Sequence, residues 1–142
     1  MIEVLAALEA TGLAQHLKAS RWTYPLVNAG HVLGIALLVG AVIPMDVAIL
    51  RGRAASAQAL LRPFAVAGFV LTLACGALLF VTQAGDYIAN GWFQAKMALL
   101  GAAIVNAALH LRASGRGLRR AAIASLVLWP GVLLAGRMIA YS

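Results

Sequence analysis

The sequence predicts an all-α protein, a four-helix transmembrane bundle with a short N-terminal interfacial helix. Three observations predict it. The chain of 142 residues is 63% hydrophobic and only 11% charged, where a soluble domain carries roughly 45–50% apolar and about 25% charged residues. Its mean hydropathy is +0.94, so lipid has to be its solvent. Its apolar runs are continuous and about 20 residues long, the length of a bilayer-crossing helix. They lack the every-second-residue alternation of a membrane barrel strand. Helices satisfy their own backbone hydrogen bonds in lipid, which makes them the backbone of choice.

The elements follow in order along one membrane domain, residues 1–142. Residues 2–19 contain Glu3, Glu9, His16 and Lys18, too much charge to span, and are expected to lie as a helix at the interface. Glu3 and Glu9 interrupt this apolar stretch and no positive segment precedes it, which argues against a cleaved signal. The first span is expected at about 23–50, announced by the interfacial aromatics Trp22 and Tyr24. It exceeds the minimum length, so it tilts or emerges past Pro44 and Asp46. The second span is expected at about 63–83, with Pro63 in its first turn, where a missing N–H costs nothing. Gly85, Asp86, Asn90 and Gly91 form a turn. The third span follows at about 92–111. An arginine- and glycine-rich loop leads to the fourth, at about 121–141, which Trp129–Pro130–Gly131 should kink. Small residues such as Gly34, Gly68, Ala103 and Gly136 recur in every span and allow close helix approach.

Charge sets orientation and excludes partners. The net charge is +7, yet a chain this small and apolar has no room for the solvated basic face that nucleic acid needs. The loops on one side hold Arg51, Arg53, Arg62, Arg112, Arg116, Arg119 and Arg120. The other side holds Lys18, Arg21, Lys96 and Arg137. The positive-inside rule then places both termini outside the cytoplasm. The single cysteine, Cys75, rules out an internal disulfide or a cysteine metal cluster. No nucleophile–base arrangement, phosphate loop or carboxylate dyad is present. Asp46 and Asp86 fall at opposite membrane faces, which disfavours hydrolytic chemistry.

Ionisable groups within spans mark functional sites or buried pairs. His31 sits about 12 Å into the first span at 1.5 Å per residue, with Asn28 on the same face and Gly34 leaving open space beside the ring. Such an imidazole either ligates haem iron or hydrogen-bonds across the bundle. In the third span Lys96, Ala103, Asn106 and His110 share one helix face. That face points into the bundle, unless Lys96 and His110 snorkel to opposite interfaces. His31 and Lys96 differ in depth by about 6 Å, whereas His31 and His110 differ by roughly 15 Å. One haem held by both histidines is therefore disfavoured, and His31 with Lys96 is easier. Asp46 is expected to form a neutralising pair with Arg51 or Arg53 at the interface. Arg137 either holds an anionic group such as a propionate or lipid phosphate or snorkels.

The run WTYPLVNAGHVLGIALLVGAVIPMDVAILRG, then AGFVLTLACGALLF, then YIANGWFQAKMALLGAAIVNAALH, resembles an uncharacterised bacterial family of small four-helix membrane proteins across nearly the whole chain. The HVLG segment at His31–Gly34 and the FQAK…N…H series at Phe93–His110 are its most specific parts. More distantly, a first-span histidine and a third-span lysine look like the haem b-binding membrane protoporphyrinogen oxidase and CopD-like copper-resistance membrane domains. This resemblance would map the oxidase histidine to His31 and its lysine to Lys96. The chain lacks the tryptophan- and tyrosine-rich first helix of that oxidase, having Gly34-Ile35-Ala36-Leu37 and Asp46 there, which speaks against the oxidase activity more than against haem.

The leading expectation is thus a haem b membrane redox protein of the bacterial inner membrane. His31 would be the iron ligand, Lys96 the second ligand or propionate partner, and Asn28 and Asn106 would support them. The alternative is a non-enzymatic helical membrane subunit or small-solute permease, in which the stripe ending at His110 lines an interhelical cavity or an oligomer contact. Beside the lipid bilayer, a homo-oligomer or a redox partner is the expected company. Copper ranks last, because Met45, Met97 and Met138 are not clustered as soft-metal sites require.

Overall fold

The computed structural model describes residues 2–142. It is all-α, with seven helices: α1 Ile2–Glu9, α2 Gly12–Ala19, α3 Thr23–Leu50, α4 Ala54–Thr82, α5 Ala84–Ala89, α6 Gly91–Arg112 and α7 Gly115–Met138, followed by a short 3-10 turn, Ile139–Tyr141. By length and composition α3, α4, α6 and the unit Gly115–Tyr141 can each cross a membrane. The chain is a multi-pass membrane protein.

The span limits differ from the expected ones at the arginine-rich end. There α4 starts at Ala54 and α7 at Gly115, because a helix does not stop where hydropathy falls. Arginines on its last turns simply reach water. Pro63 therefore lies in the helix interior, and its missing N–H leaves the Ala59 carbonyl without its usual partner. The N-terminal segment is two helices, not one. Thr11 breaks it by capping α2, its hydroxyl accepting from the Ala14 N–H at 3.3 Å.

The turns are built from local chemistry. Gly52 adopts φ 79° after α3. Arg53 N–H then reaches the Ala48 carbonyl at 2.8 Å and Gly52 N–H the Ile49 carbonyl at 3.1 Å, a Schellman closure that needs the left-handed residue. Asn90 caps α6 by accepting from the Trp92 and Phe93 N–H groups at 2.9 and 3.2 Å. Its amide also donates to the Ser142 hydroxyl at 2.7 Å, fixing the C-terminus to the same end of the bundle as the N-terminal helices.

Packing runs in the order α4, α3, α7, α6. The tightest seam is α3 against α4, where Gly34 and Gly68 bring the two backbones together. The buried stripe of α3 is Gly34, Leu38, Ala41, Val42, Met45, Asp46 and Ile49, the period of one helix face. It meets Ala65 of α4 and Trp129 of α7 in the core. The backbone of α6 packs on α7 and scarcely approaches α3 or α4. Side chains bridge that gap, with Phe80 of α4 stacked on Phe93 of α6 at 5.6 Å near the termini.

Candidate functional site

The last turns of α3 and α6 place two ionisable side chains in the interior. Asp46 is 0% exposed and His110 is 7% exposed. Carboxylate Oδ1 lies 3.4 Å from imidazole Nε2. No protein group among the described residues hydrogen-bonds either carboxylate oxygen, or His110 Nε2. The pair lines a cavity of about 210 Å³ between the four long helices, together with Arg62 of α4, Asn106 of α6, and Ser125 and Trp129 of α7. Asn106 also donates from its amide to the Ala121 carbonyl at 3.0 Å, which fixes α6 on α7.

A charge without hydrogen-bond partners is expensive in such surroundings. It persists through its neighbour, either as carboxylate beside imidazolium or as carboxylic acid beside neutral imidazole. The 3.4 Å contact brings an acid and a base together inside the spans, the kind of neighbourhood that proton relays use.

This overturns the expected partnership of Asp46 with Arg51 or Arg53. Both arginines are exposed and neither pairs with Asp46. Five residues of helix rotate Arg51 about 140° away from Asp46, and Arg53 lies beyond the helix end. The signal that marks Asp46 as interior was its position on the stripe of Leu38, Val42, Met45 and Ile49.

His31 lies far from this pair, in the half of the bundle nearer the termini. Its Nδ1 is 2.9 Å from the Thr72 carbonyl of α4. The contact requires Nδ1–H to donate, which leaves the Nε2 lone pair free. A Cβ on Gly76 would lie 3.0 Å from the ring, so a side chain there would push the imidazole aside by a few tenths of an ångström. The Lys96 side chain runs along Gly136 of α7. Asn28, expected beside His31, is exposed and is not the group that orients it. His110 stands about 21 Å along α6 from Lys96, at the other end of the stripe. Arg137 turns back on its own helix end, donating to the Tyr141 hydroxyl at 2.9 Å.

His31 meets one requirement of a haem ligand. A metal-bound histidine donates its other N–H to a carbonyl or carboxylate, and the bond to Thr72 meets that requirement. The cavity described above takes in neither His31 nor Lys96, so a macrocycle would have to lie outside it. No three His, Cys, Asp or Glu groups converge among the described residues, so the methionines Met45, Met97 and Met138 have no such cluster to join.

Near the termini, the Glu9 carboxylate accepts from the Gly85 N–H at 2.9 Å and pairs with Lys18 at 3.5 Å. These contacts, the N–H first, hold its carboxyl below the usual range. They dock the N-terminal helices on the α4–α6 connection. Compared with protein families, curated proteins and solved structures, the chain matches none.

Proposed function

We propose that the protein is a non-enzymatic membrane module of the small-solute permease type, in which Asp46 and His110 take up and release a proton as a small polar solute passes the cavity. One observation carries the reading: a fully buried carboxylate, 3.4 Å from an imidazole, lining a cavity between all four spans. Intramembrane ionisable groups of this kind mark ion and substrate paths. The arginine-rich end belongs in the cytoplasm by the positive-inside rule, which puts the pair near that face and both termini outside. A bacterial inner membrane is the location that the resemblance in sequence suggests.

Proteoliposomes loaded with a pH-sensitive dye test this. An imposed pH step should collapse faster with the wild-type protein than in empty vesicles, and Asp46→Asn should return the rate to the empty-vesicle leak. Equal rates for wild type, Asp46→Asn and empty vesicles would refute it.

A second reading rests on His31. The bond from Nδ1–H to Thr72 leaves the Nε2 lone pair free, so His31 would hold the iron of haem b and Lys96 would serve a propionate. When bound, the haem would supply one-electron redox chemistry, and Thr72 would fix the ring. Protein purified in mild detergent from haem-replete cells should then show a Soret band. Colourless protein that gains none on reconstitution excludes it.

A further inference from the structure

The cavity beside Asp46 has two unlike ends. Asp46 is fully buried, and neither of its oxygens has a hydrogen-bond partner among the described residues. An ionised carboxylate offers about four acceptor positions. His110 can serve one of them from Nε2, and at 3.4 Å it stands beyond the roughly 2.7–2.9 Å of a charge-assisted hydrogen bond. The other charged group lining the cavity, Arg62, is half-buried and also lines an open groove on α4 with Gln58 and Ala59. Its guanidinium therefore has an outlet that the carboxylate lacks. Asn106 gives its amide to the Ala121 carbonyl. What Asp46 is missing is a donor that carries several N–H groups, since a buried polar group without partners calls for one.

The opposite end is apolar. Along α3, Val42 and Leu38 follow Asp46 at about 6 and 12 Å by helix rise, and both line the cavity. Phe69 and Trp129 line it too, edge to face at 6.4 Å, and Trp129 packs with Leu38 and Val42 in the core. A buried water needs about two to four polar partners, whereas an apolar void of about 150 Å³ stays dry and takes benzene. In proportion, the cavity of about 210 Å³ takes roughly eight non-hydrogen atoms. Val66 of α4 and Ile104 of α6 also line it and are exposed, which opens it sideways between two helices that scarcely meet. We propose that the cavity binds a small primary amine, its ammonium on Asp46 and its hydrocarbon body against Phe69 and Trp129. This names the solute class of the permease and rests on that reading for transport, though not for binding.

The probe is 4-fluorobenzylamine, followed by fluorine NMR on the full chain in a neutral detergent, with protein-free micelles as the blank. It should bind saturably at one site per chain. Asp46→Asn should weaken it about ten- to a hundredfold, the loss of one charge-assisted contact. The uncharged 4-fluorobenzyl alcohol should bind the wild type more weakly by a similar factor. The first comparison requires a variant that keeps the wild-type melting temperature; where it does not, the second, made on the wild type alone, decides. No saturable binding, undiminished binding in the folded asparagine variant, or alcohol bound as tightly as the amine overturns the proposal. Binding of 4-fluorobenzoate more tightly than the amine assigns the cavity to an anion on Arg62 and overturns it likewise. Proton flux is measured separately in vesicles. Amine binding without flux refutes the permease and leaves this site standing, and flux without amine binding does the reverse.

Discussion

The seam between α3 and α4 offers a sharp test, because two glycines there face backbone atoms at distances that no Cβ could keep. A Cβ built on Gly34 would lie 2.5 Å from Thr72 Oγ1, 2.6 Å from Thr72 N and 3.0 Å from the Gly68 carbonyl oxygen. On Gly68 it would meet the Leu38 backbone N, and the Gly34 carbonyl oxygen at 2.7 Å. Ordinary contact begins near 3.4 Å, so each methyl needs the helices to separate by about 1 Å. A gap of that size forfeits a quarter to a half of the dispersion attraction of the atoms that part, and overpacking a tight site costs about 1–3 kcal/mol. Gly34→Ala should therefore shift the folding equilibrium by about 5- to 150-fold. Gly68→Ala, which meets only atoms fixed in α3, should reach the upper end. Gly40→Ala is the control: no atom lies within 4 Å of its added carbon, and alanine's better helix propensity should leave stability unchanged or raise it by up to about 1 kcal/mol. Stability would be read by steric trapping or by SDS titration followed by circular dichroism. If Gly34→Ala and Gly40→Ala unfold together, the glycine seam does not hold these helices.

Other expectations concern single contacts. Asn106→Ala removes the bond to the Ala121 carbonyl and should cost about 0.6–1.5 kcal/mol in the same unfolding assay; a larger loss would show that Asn106 also supports the cavity wall. His110→Ala leaves Asp46 buried without its neighbour. Removing one partner of a buried pair should cost about 3–5 kcal/mol in the same assay, and a loss no larger than that of Asn106→Ala would refute the coupling. Glu9 gives a pH dependence of definite sign. Its carboxyl is held below the usual value by the Gly85 N–H and then by Lys18. Docking of α1 is thus fully present above the unfolded glutamate pKa and lost as pH falls through the lower, folded one. A spin-label distance between α1 and α5 should lengthen in acid, and Glu9→Gln should lengthen it already at pH 7; no change in either would remove the latch.

Hydropathy made the four spans legible because lipid demands about 20 apolar residues in a row, and α3, α4, α6 and α7 supply them. It marks where a helix leaves lipid, not where it ends, so α4 runs back past Arg62 to Ala54 and α7 past Arg120 to Gly115. The inward turn of Ala103 and His110 followed from their seven-residue spacing. The partner of His110 did not, since helix periodicity says which way a residue faces and not which residue of another helix waits there. Asp46 was matched to Arg51 and Arg53 by proximity in sequence, when its rotation about α3 aligned it with Leu38 and Val42. The hold on His31 was invisible for a different reason. The acceptor is a main-chain carbonyl, at Thr72, and every residue carries one.

Burial along the four spans is far from even. In the most apolar window of α3, 39% of the residues are covered by the rest of the chain, against 6% in that of α6. The molecule is a hub with an outrigger. A substitution scan should find α3 intolerant almost everywhere along its covered stripe, while α6 accepts most apolar exchanges except at Ala103 and His110. Since the hub supplies the carboxylate and the outrigger the imidazole, the least anchored rod carries half of the proton-holding pair, and any sway of α6 opens or closes the 3.4 Å gap on which the pair depends.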